Sequence, residues 1–212
     1  YLMFKVIGQC GHRQRIDVEF YFLFLVMEND FFRQDRNSKV LLGEVYFWTD
    51  TVKDWNQVFS SEKYKHIIIK TLEELVKRKK IEVYAFVIMP NHIHLVWKVN
   101  EDYLLKDVQR DFLKYTAQQI KFDLIKNHPA VLPHFEVNLK DRQYQFWERN
   151  PLSVDLYSPK VIAQKLAYIH ANPLKGKWLL ANSPDQYWFS SYRFYEMNID
   201  EFGFLTHYLE DC

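Results

Sequence analysis

The sequence predicts an α+β fold in which an antiparallel sheet has helices on one face and a further helix follows toward the C-terminus. Three observations support this prediction. Short runs of β-branched and aromatic residues alternate with longer segments whose apolar residues recur every three or four positions. The longer segments carry residues that start and stop helices. No internal repeat or low-complexity tract is visible, so the 212 residues are most simply one domain.

The first strand and the first helix are expected between residues 45 and 80. Val45–Thr49 is a short β-branched and aromatic run, which is typical of a strand. Ser60-Ser61-Glu62 offers an N-cap and a first-turn acid for a helix that ends near Lys80. The buried face of this helix is expected to hold Ile67, Ile68, Leu72 and Leu75.

Two strands and a second helix are expected next. The strands cover roughly 81–89 and 92–99 and join at Pro90-Asn91. The helix covers about 104–126, because apolar residues there form an inward stripe at spacings of three and four. The stripe consists of Leu105, Val108, Phe112 and Tyr115.

The last elements complete a recognisable order. Residues 127–143 contain two prolines and several polar residues, which predicts a loop, and Tyr144–Trp147 predicts the final strand. Pro159 follows Ser158 and opens a third helix that ends at Asn172-Pro173. The order β-α-β-β-α-β with one more helix is the ferredoxin-like split βαβ pattern.

Composition excludes some classes of protein. Apolar residues make up 48% of the chain and aromatic residues 17%, which is far from a disordered profile. The net charge is only +1, so any nucleic-acid binding must come from local basic patches. Cys10 and Cys212 lie at opposite ends without metal-type spacing and are expected to be unpaired thiols.

No segment of the sequence is apolar enough for a membrane helix, which needs about 20 residues. The longest apolar run, Phe20 to Met27, is too short, and no signal-peptide cleavage pattern precedes it, so a cytoplasmic protein is expected. Residues 1–40 are set apart as an N-terminal extension of unclear role, before a domain over 41–212. Residues 18–26 form either an added edge strand or part of an upstream extension before a natural start at Met27.

The most informative segment is Pro-Asn-His-Ile-His-Leu-Val-Trp at residues 90–97. Side chains alternate between the two faces of a strand, so His92 and His94 project from one face and Ile93 from the other. Two imidazoles on a rigid strand are half of a metal site. The alternative is a pair of core or edge histidines that bond to neighbouring backbone.

The third helix carries the segment Leu166 to Lys175. Tyr168 and Asn172 are four residues apart, so they share a face of that helix. From spacing alone, Tyr168 is a core tyrosine and Asn172 caps the helix before Pro173. Tyr115 on the second helix occupies a similar amphipathic position.

The segment Met89 to Leu95 is similar to the His-hydrophobic-His (HUH) motif of the single-tyrosine transposases. The resemblance is strongest to the REP-associated tyrosine transposases, which handle repetitive extragenic palindromes in bacterial chromosomes. It extends from about Val45 to about Tyr195. Tyr168-x-x-x-Asn172-Pro173 resembles the family segment that carries the catalytic tyrosine, and Asp185 to Tyr192 resembles the family's C-terminal tail, whose expected role is docking.

This resemblance implies roles for the site residues. His92 and His94 are expected to bind a divalent metal, and Tyr168 rather than Tyr115 is expected to be the nucleophile. Asn172 is expected to be the third ligand, where related transposases have a glutamine that is longer by one methylene. Histidine and amide ligands with phosphate oxygens suit Mg²⁺ or Mn²⁺, and the nitrogen ligands favour Mn²⁺.

The resemblance also implies a function. The HUH nucleases share the ferredoxin-like architecture, and the sheet face with the histidines is expected to face DNA or the final helix. A metal-dependent single-strand DNA endonuclease and strand transferase is expected, which acts on hairpin DNA through a 5′-phosphotyrosine intermediate. Two alternatives are a domesticated hairpin-binding protein that does not cut and a metal-dependent phosphodiesterase that uses water.

Candidate DNA contacts are basic. They are Lys106, Arg110 and Lys114, spaced by four on the solvent side of the second helix, and Lys175 and Lys177 after the third. For each, the alternative is a solvated helix face or a favourable charge at a helix terminus. A monomer is favoured over a homodimer, because the REP-associated branch can place its tyrosine in cis. A bacterial, nucleoid-associated location is expected.

Overall fold

The computed structural model describes residues 44–176 and 178–210. The predicted extension over 1–40, both cysteines and Lys177 lie outside the described residues. Six strands and four α-helices are described. The strands are β1 Val45–Thr51, β2 Ile81–Ile88, β3 His92–Val99, β4 Glu136–Leu139, β5 Arg142–Tyr144 and β6 Leu152–Asp155. The helices are α1 Glu62–Lys77, α2 Leu105–Asn127, α3 Pro159–Ala171 and α4 Tyr192–Met197.

Four strands form one antiparallel sheet in the order β2-β3-β1-β6. This is the sheet order of the ferredoxin-like split βαβ fold, so the predicted fold class is confirmed. In β1, Thr49 lies opposite His94 and Thr51 opposite His92, whereas Trp48 lies opposite Leu95. Paired residues share a face, so the register separates a histidine face from a tryptophan face.

The tryptophan face is covered by α1 and α2. Trp48 stacks on Trp97 with ring centroids 4.9 Å apart, and Phe112 of α2 meets Trp48 edge-on at 5.4 Å. Helix α1 packs beside α2, and Tyr64 Oη donates a hydrogen bond to Asp123 at 2.6 Å. These aromatic side chains form the centre of the core.

The histidine face is covered by α3, which packs against β2 and β3. Ser158 caps this helix, because its Oγ accepts a hydrogen bond from Val161 N at 3.4 Å, and Pro159 begins the helix as predicted. The sequence predicted that the histidine face meets either DNA or the helix that begins at Pro159. In the structure, that helix, α3, covers this face. Helices on both faces bury the sheet on both sides.

The predicted final strand was wrong. Tyr144 ends β5, and the last strand of the main sheet is Leu152–Asp155, which pairs with β1. The apolar run at Phe146-Trp147 is buried instead as an irregular segment: Trp147 makes a single bridge with Val52 and donates its Nε1–H to Thr116 at 3.1 Å. Burial of two aromatic side chains, not strand pairing, explains the apolar pattern there.

Two smaller predictions also need correction. Residues 127–143 are not all loop, because Pro129–Phe135 form a 3-10 helix and β4 pairs with β5. Tyr115 is not on the inward face of α2 and is 51% exposed, while Thr116 is fully buried in its place.

The N-terminus of the first helix is close to its predicted position but lacks the predicted side-chain cap. Helix α1 starts after Ser61, whose side chain makes no capping hydrogen bond.

The described helices include none with the length and apolar character that a membrane crossing requires.

Candidate functional site

The two histidines lie together at the start of β3, on one face of the sheet. His92 is 9% exposed and His94 is 5% exposed. Their ring centroids are 4.8 Å apart and their planes meet at 73°. The strand register thus brings the two imidazoles together as the sequence predicted.

Each imidazole is oriented by a neighbouring polar side chain through Nδ1. His92 Nδ1 lies 2.7 Å from Asn91 Oδ1, and His94 Nδ1 lies 2.7 Å from Thr49 Oγ1. The Asn91 amide is itself held, because its Nδ2 donates to Trp55 O at 3.3 Å. A proton held on Nδ1 puts the imidazole lone pair on Nε2, which is the form that binds a metal.

The electrostatics of the site keep His94 neutral. Burial lowers the pKa of His94 well below its usual value, and His92, Lys165 and Lys175 lower it further by repulsion of a second positive charge. Only the neutral imidazole is a metal ligand. The site is therefore set for coordination rather than for a charged histidine.

Tyr168 lies directly across from the histidines. Its ring centroid is 5.4 Å from that of His94 and 6.0 Å from that of Phe47, which stacks on His94 at 5.4 Å. Tyr168 is half-buried. Tyr115, the rival tyrosine, lies on α2 at the opposite face of the sheet. The fold brings Tyr168, and not Tyr115, to the histidine pair.

Two lysines flank the tyrosine ring. Lys165 Nζ lies 5.5 Å from the centroid of Tyr168 and 4.6 Å from that of Phe47, and Lys175 Nζ lies 4.8 Å from that of Tyr168. Burial lowers the pKa of Lys165 to about 8. Sequence reasoning missed Lys165, although its position three residues before Tyr168 places both on one face of α3.

Asn172 lies at the C-terminal end of α3 and caps it. Its Nδ2 donates a hydrogen bond to the Tyr168 carbonyl oxygen at 2.9 Å. This is the capping arrangement that the sequence left as an alternative. Only Oδ1 of this amide is then suited to a metal, and ligation by Asn172 stays a prediction.

The donor set fits a divalent metal with open coordination positions. Over residues 44–176 and 178–210, no group of three or more His, Cys, Asp or Glu side chains is arranged to hold a metal. The two histidines have the satisfied Nδ1 atoms that metal-ligating histidines need. Other ligands would come from an amide, water or substrate phosphate.

The C-terminal tail docks against the edge strand β2, as expected. Ser191 Oγ accepts a hydrogen bond from Phe86 N at 3.0 Å and lies 2.9 Å from His170 Nε2. Tyr187 Oη donates to Ile88 O at 2.7 Å. The tail thus ties α3 to the sheet and helps to fix the helix that carries Tyr168.

A basic groove of about 1040 Å³ lies between α2 and the segment that follows β4. Its floor is apolar and includes Leu113, Leu132 and Phe146. Five cations line the groove: Arg110, Lys114, Lys121, Arg142 and Arg149. Of the predicted DNA contacts, the groove therefore includes Arg110 and Lys114, whereas Lys106 is exposed but does not line it. Sequence reasoning missed the other three: Lys121 follows Lys114 by two turns of α2, whereas Arg142 and Arg149 reach the groove only through the fold.

The cations of the groove differ in their partners. Arg110 pairs with Asp107 at 2.7 Å, and Arg142 pairs with the neighbouring Asp141 at 2.5 Å. These exposed pairs are weak and are readily exchanged for phosphate contacts. Lys114, Lys121 and Arg149 are thus the principal candidates for binding an anion.

The groove wall adjoins the histidine end of the sheet. Glu148 N donates to Thr51 O at 2.7 Å, and Thr51 is paired with His92. Lys53 N donates to Phe146 O at 2.9 Å. Segment 146–148 therefore lies beside the end of β1 that carries Thr51, and the same segment lines the groove.

Comparisons with known proteins agree with this arrangement. Residues 47–135 match the family described as "Transposase IS200 like". A solved structure of a REP-associated tyrosine transposase bound to a REP hairpin has a TM-score of 0.57 and 16% identity, covering 76% of this chain and 83% of that chain.

Two further comparisons add little. A putative transposase from Deinococcus radiodurans R1 has a TM-score of 0.39 and 16% identity, covering 64% of this chain and 95% of that chain, which is too low to establish a common fold. No curated protein is significantly similar in sequence.

Proposed function

We propose that the protein cuts and rejoins single-stranded DNA beside a hairpin, with Tyr168 as nucleophile, and the match of residues 47–135 to the family described as "Transposase IS200 like" supports this. The observation that carries the proposal is the placement of the Tyr168 ring 5.4 Å from the His94 ring. Two side chains 74 positions apart in the sequence are together only because α3 lies on the histidine face.

The tyrosine needs help to act as a nucleophile, because a phenol has a pKa near 10. Lys165 and Lys175 lie on the ring of Tyr168 and favour the phenolate by their positive charge. They also attract the phosphate of the substrate. The two lysines thus supply the positive environment that the reaction requires.

The reaction is an in-line substitution at phosphorus. Tyr168 Oη forms a bond to the scissile phosphorus as the bond from phosphorus to the 3′-oxygen breaks. The phenol proton goes to solvent or a nearby base, and the 3′-oxygen takes up a proton to become a hydroxyl. A 5′-phosphotyrosine link remains, and a new 3′-hydroxyl can attack it to reverse the step.

The metal would be held by His92 and His94 through Nε2. When bound, Mg²⁺ or Mn²⁺ would polarise a non-bridging phosphate oxygen and orient the phosphate for in-line attack. Asn91 Oδ1 can only accept, so it keeps the His92 proton on Nδ1, and Thr49 Oγ1 lies within hydrogen-bond distance of His94 Nδ1. Asn172 remains a proposed further ligand through Oδ1.

The proposed substrate is single-stranded DNA next to a hairpin. The fold resembles that of a transposase solved with a REP hairpin, and the basic groove begins at the histidine end of the sheet. The nucleophile and the histidines belong to one chain, which supports a site completed in cis by a monomer.

The proposal is tested with a labelled oligonucleotide that carries a hairpin and a single-stranded flank. Incubation with Mn²⁺ should give a cut strand and a covalent protein–DNA adduct on a denaturing gel. Tyr168→Phe removes only the hydroxyl and should abolish both products. Tyr115→Phe, on the other face of the sheet, is the matched control and should leave both unchanged.

Other outcomes point to other functions. Cutting that survives Tyr168→Phe contradicts a tyrosine nucleophile and favours a phosphodiesterase that uses water. Tight hairpin binding without any cutting favours a domesticated binding protein. That second candidate is supported by Asn172, whose amide nitrogen is bonded to the helix.

A further inference from the structure

A strained turn follows β1 beside the histidine site. Asp54 and Trp55 both have left-handed backbone conformations, with φ of 53° and 58°. Neither residue is glycine, and such a conformation persists for a side-chain-bearing residue only when its surroundings fix it. Two in succession indicate that the fold imposes the position of Trp55.

The surroundings fix the turn through the backbone of three successive residues. Val52 N donates to Asn91 O at 2.8 Å, and Lys53 N donates to Phe146 O at 2.9 Å. Asp54 N donates to Glu148 Oε1 at 2.6 Å. The turn is therefore held from one side by the turn before β3 and from the other by segment 146–148.

This pinned turn presents an indole ring to solvent. Trp55 is 63% exposed, whereas the other five tryptophans of the chain are buried or half-buried. An indole is costly to leave in water, because it carries a large apolar surface. Lys53 and Asp54 of the turn form an ion pair, and the Glu148 carboxylate adds a negative charge beside it.

One side chain connects Trp55 to the metal-binding histidine. Asn91 donates from Nδ2 to Trp55 O at 3.3 Å and bonds through Oδ1 to His92 Nδ1 at 2.7 Å. The same amide therefore orients His92 and holds the turn. The backbone from which the indole projects is therefore held at a fixed position relative to His92.

We propose that Trp55 is a stacking platform for one unpaired nucleobase next to the scissile phosphate, an inference that rests on the proposed function. A flat, exposed indole matches the face of any base, so the platform fixes the position of a nucleotide without reading its sequence. Segment 146–148, which holds the turn, leads to Arg149 in the basic groove. The charge of that groove favours nucleic acid over a second copy of this chain.

The test measures binding rather than cutting, in the Tyr168→Phe background so that the DNA stays intact. Hairpin oligonucleotides carry a single abasic site, moved one position at a time along the unpaired flank, and Kd is measured by fluorescence anisotropy. One abasic position should weaken binding by about 5- to 150-fold, the range that corresponds to loss of one stacked base. In Trp55→Ala that penalty should disappear, while penalties at other positions remain.

Two variants separate stacking from folding. Trp55→Phe retains an aromatic face and should keep most of the positional penalty. Trp55→Gly relieves the left-handed strain, so its Tm should equal or exceed that of the parent while its DNA binding falls as in Trp55→Ala. Tyr157→Ala removes another exposed aromatic, beyond the end of β6 that pairs with Tyr46, and should bind like the parent.

The inference is overturned if Trp55→Ala binds every oligonucleotide as the parent does, or if the abasic penalty is the same in both proteins. Loss of self-association in Trp55→Ala with unchanged DNA affinity would assign the indole to a contact between copies instead. A parent that cuts hairpin DNA but shows no effect of Trp55 leaves the proposed function standing. A parent that binds no hairpin DNA overturns both.

Discussion

At the scale of single residues, the site depends on orientation as much as on residue type. The resemblance to the single-tyrosine transposases predicted His92, His94 and Tyr168 as site residues, whereas helical spacing alone favoured a core tyrosine at 168. It did not identify Thr49 or Asn91 as the partners of the imidazoles. Thr49 is a neighbour of His94 only through strand register, which no local pattern shows.

Lys165 illustrates the same limit. A lysine on an amphipathic helix is normally read as solvated, but this one is 6% exposed and lies over two aromatic rings. Its burial depends on the packing of α3 against the sheet, where it lies over Phe47, and local sequence does not specify that packing.

Asp50 provides a prediction at this scale. It is 2% exposed, and its Oδ2 lacks a hydrogen-bond partner among the described residues, while Oδ1 accepts from Thr51 N at 2.7 Å. Burial raises the pKa of Asp50 to about 8, the Thr51 N–H opposes this, and Glu148 adds to it. The folded protein therefore keeps a proton that the unfolded chain has released from about pH 4 upward.

Because the folded-state pKa is the higher one, stability falls as pH rises between the two pKa values. The Asp50→Asn variant has no titratable group at this position. Its free energy of unfolding, relative to that of the parent, should therefore increase as pH rises, by up to about 1.4 kcal/mol per pH unit in that window. Urea unfolding at pH 5 and pH 7.5 measures this. An advantage that is the same at both pH values would contradict it. Asp141→Asn, at an exposed carboxyl whose pKa Arg142 lowers, is the control and should not gain stability with pH.

At the scale of elements, the predicted order of strands and helices was correct up to α2. It failed at the final strand, because Tyr144–Trp147 is the more aromatic run, whereas the strand that joins the sheet, Leu152–Asp155, includes a serine and an aspartate. Which of them joins the sheet depends on pairing with β1, a long-range contact. Helix α3 was predictable from its own cap and proline, so the helix that carries Tyr168 was predicted despite that error.

Helix α3 also provides a prediction. Lys165 Nζ lies 5.5 Å from the centroid of the Tyr168 ring, and a unit charge at about that distance from a phenolate is worth up to about 3 kcal/mol at an effective dielectric constant of about 20, or about 100-fold in rate. Lys165→Met should therefore slow cutting of the hairpin oligonucleotide by up to about 100-fold, while its Kd for DNA changes much less. Single-turnover kinetics at saturating protein separate the two quantities.

The matched control is Lys160→Met, which removes an exposed lysine from the first turn of the same helix. It should cut at the parental rate. Equal cutting rates for the parent and Lys165→Met would contradict the proposal that Lys165 assists Tyr168.

At the scale of the whole molecule, the charge is nearly balanced, so the position of each cation matters more than the total. The net charge is +1, yet Lys114, Lys121 and Arg149 gather in one groove. The near-neutral composition excludes a strong positive field around the whole protein, whereas the fold gathers several cations in the groove. The sequence pattern identified Lys114 on α2 and missed Lys121 on the same helix and Arg149 outside it.

The groove gives a prediction about salt. Each contact with a single-strand phosphate contributes about 0.7 to the slope of log Kd against log salt concentration. A triple change of Lys114, Lys121 and Arg149 to Gln should weaken hairpin binding and lower that slope by up to about 2. Kd values between 50 and 300 mM salt, roughly the span over which such slopes are resolved, measure it.

The control for the groove carries the same loss of charge elsewhere. Lys70, Lys77 and Lys79 are exposed on or just after α1, and their triple change to Gln should leave the slope close to that of the parent. If the two triple variants behave alike, total charge rather than the groove determines DNA binding.

The central claim is that Tyr168 becomes covalently attached to DNA at a site that contains His92 and His94. The most direct measurement is mass spectrometry of peptides from protein treated with a hairpin oligonucleotide and Mn²⁺, followed by nuclease trimming. The account predicts a nucleotide phosphate on Tyr168, absent when EDTA replaces the metal and absent in His94→Ala. A nucleotide attached to any other residue, or DNA cut without attachment to the protein, would contradict it.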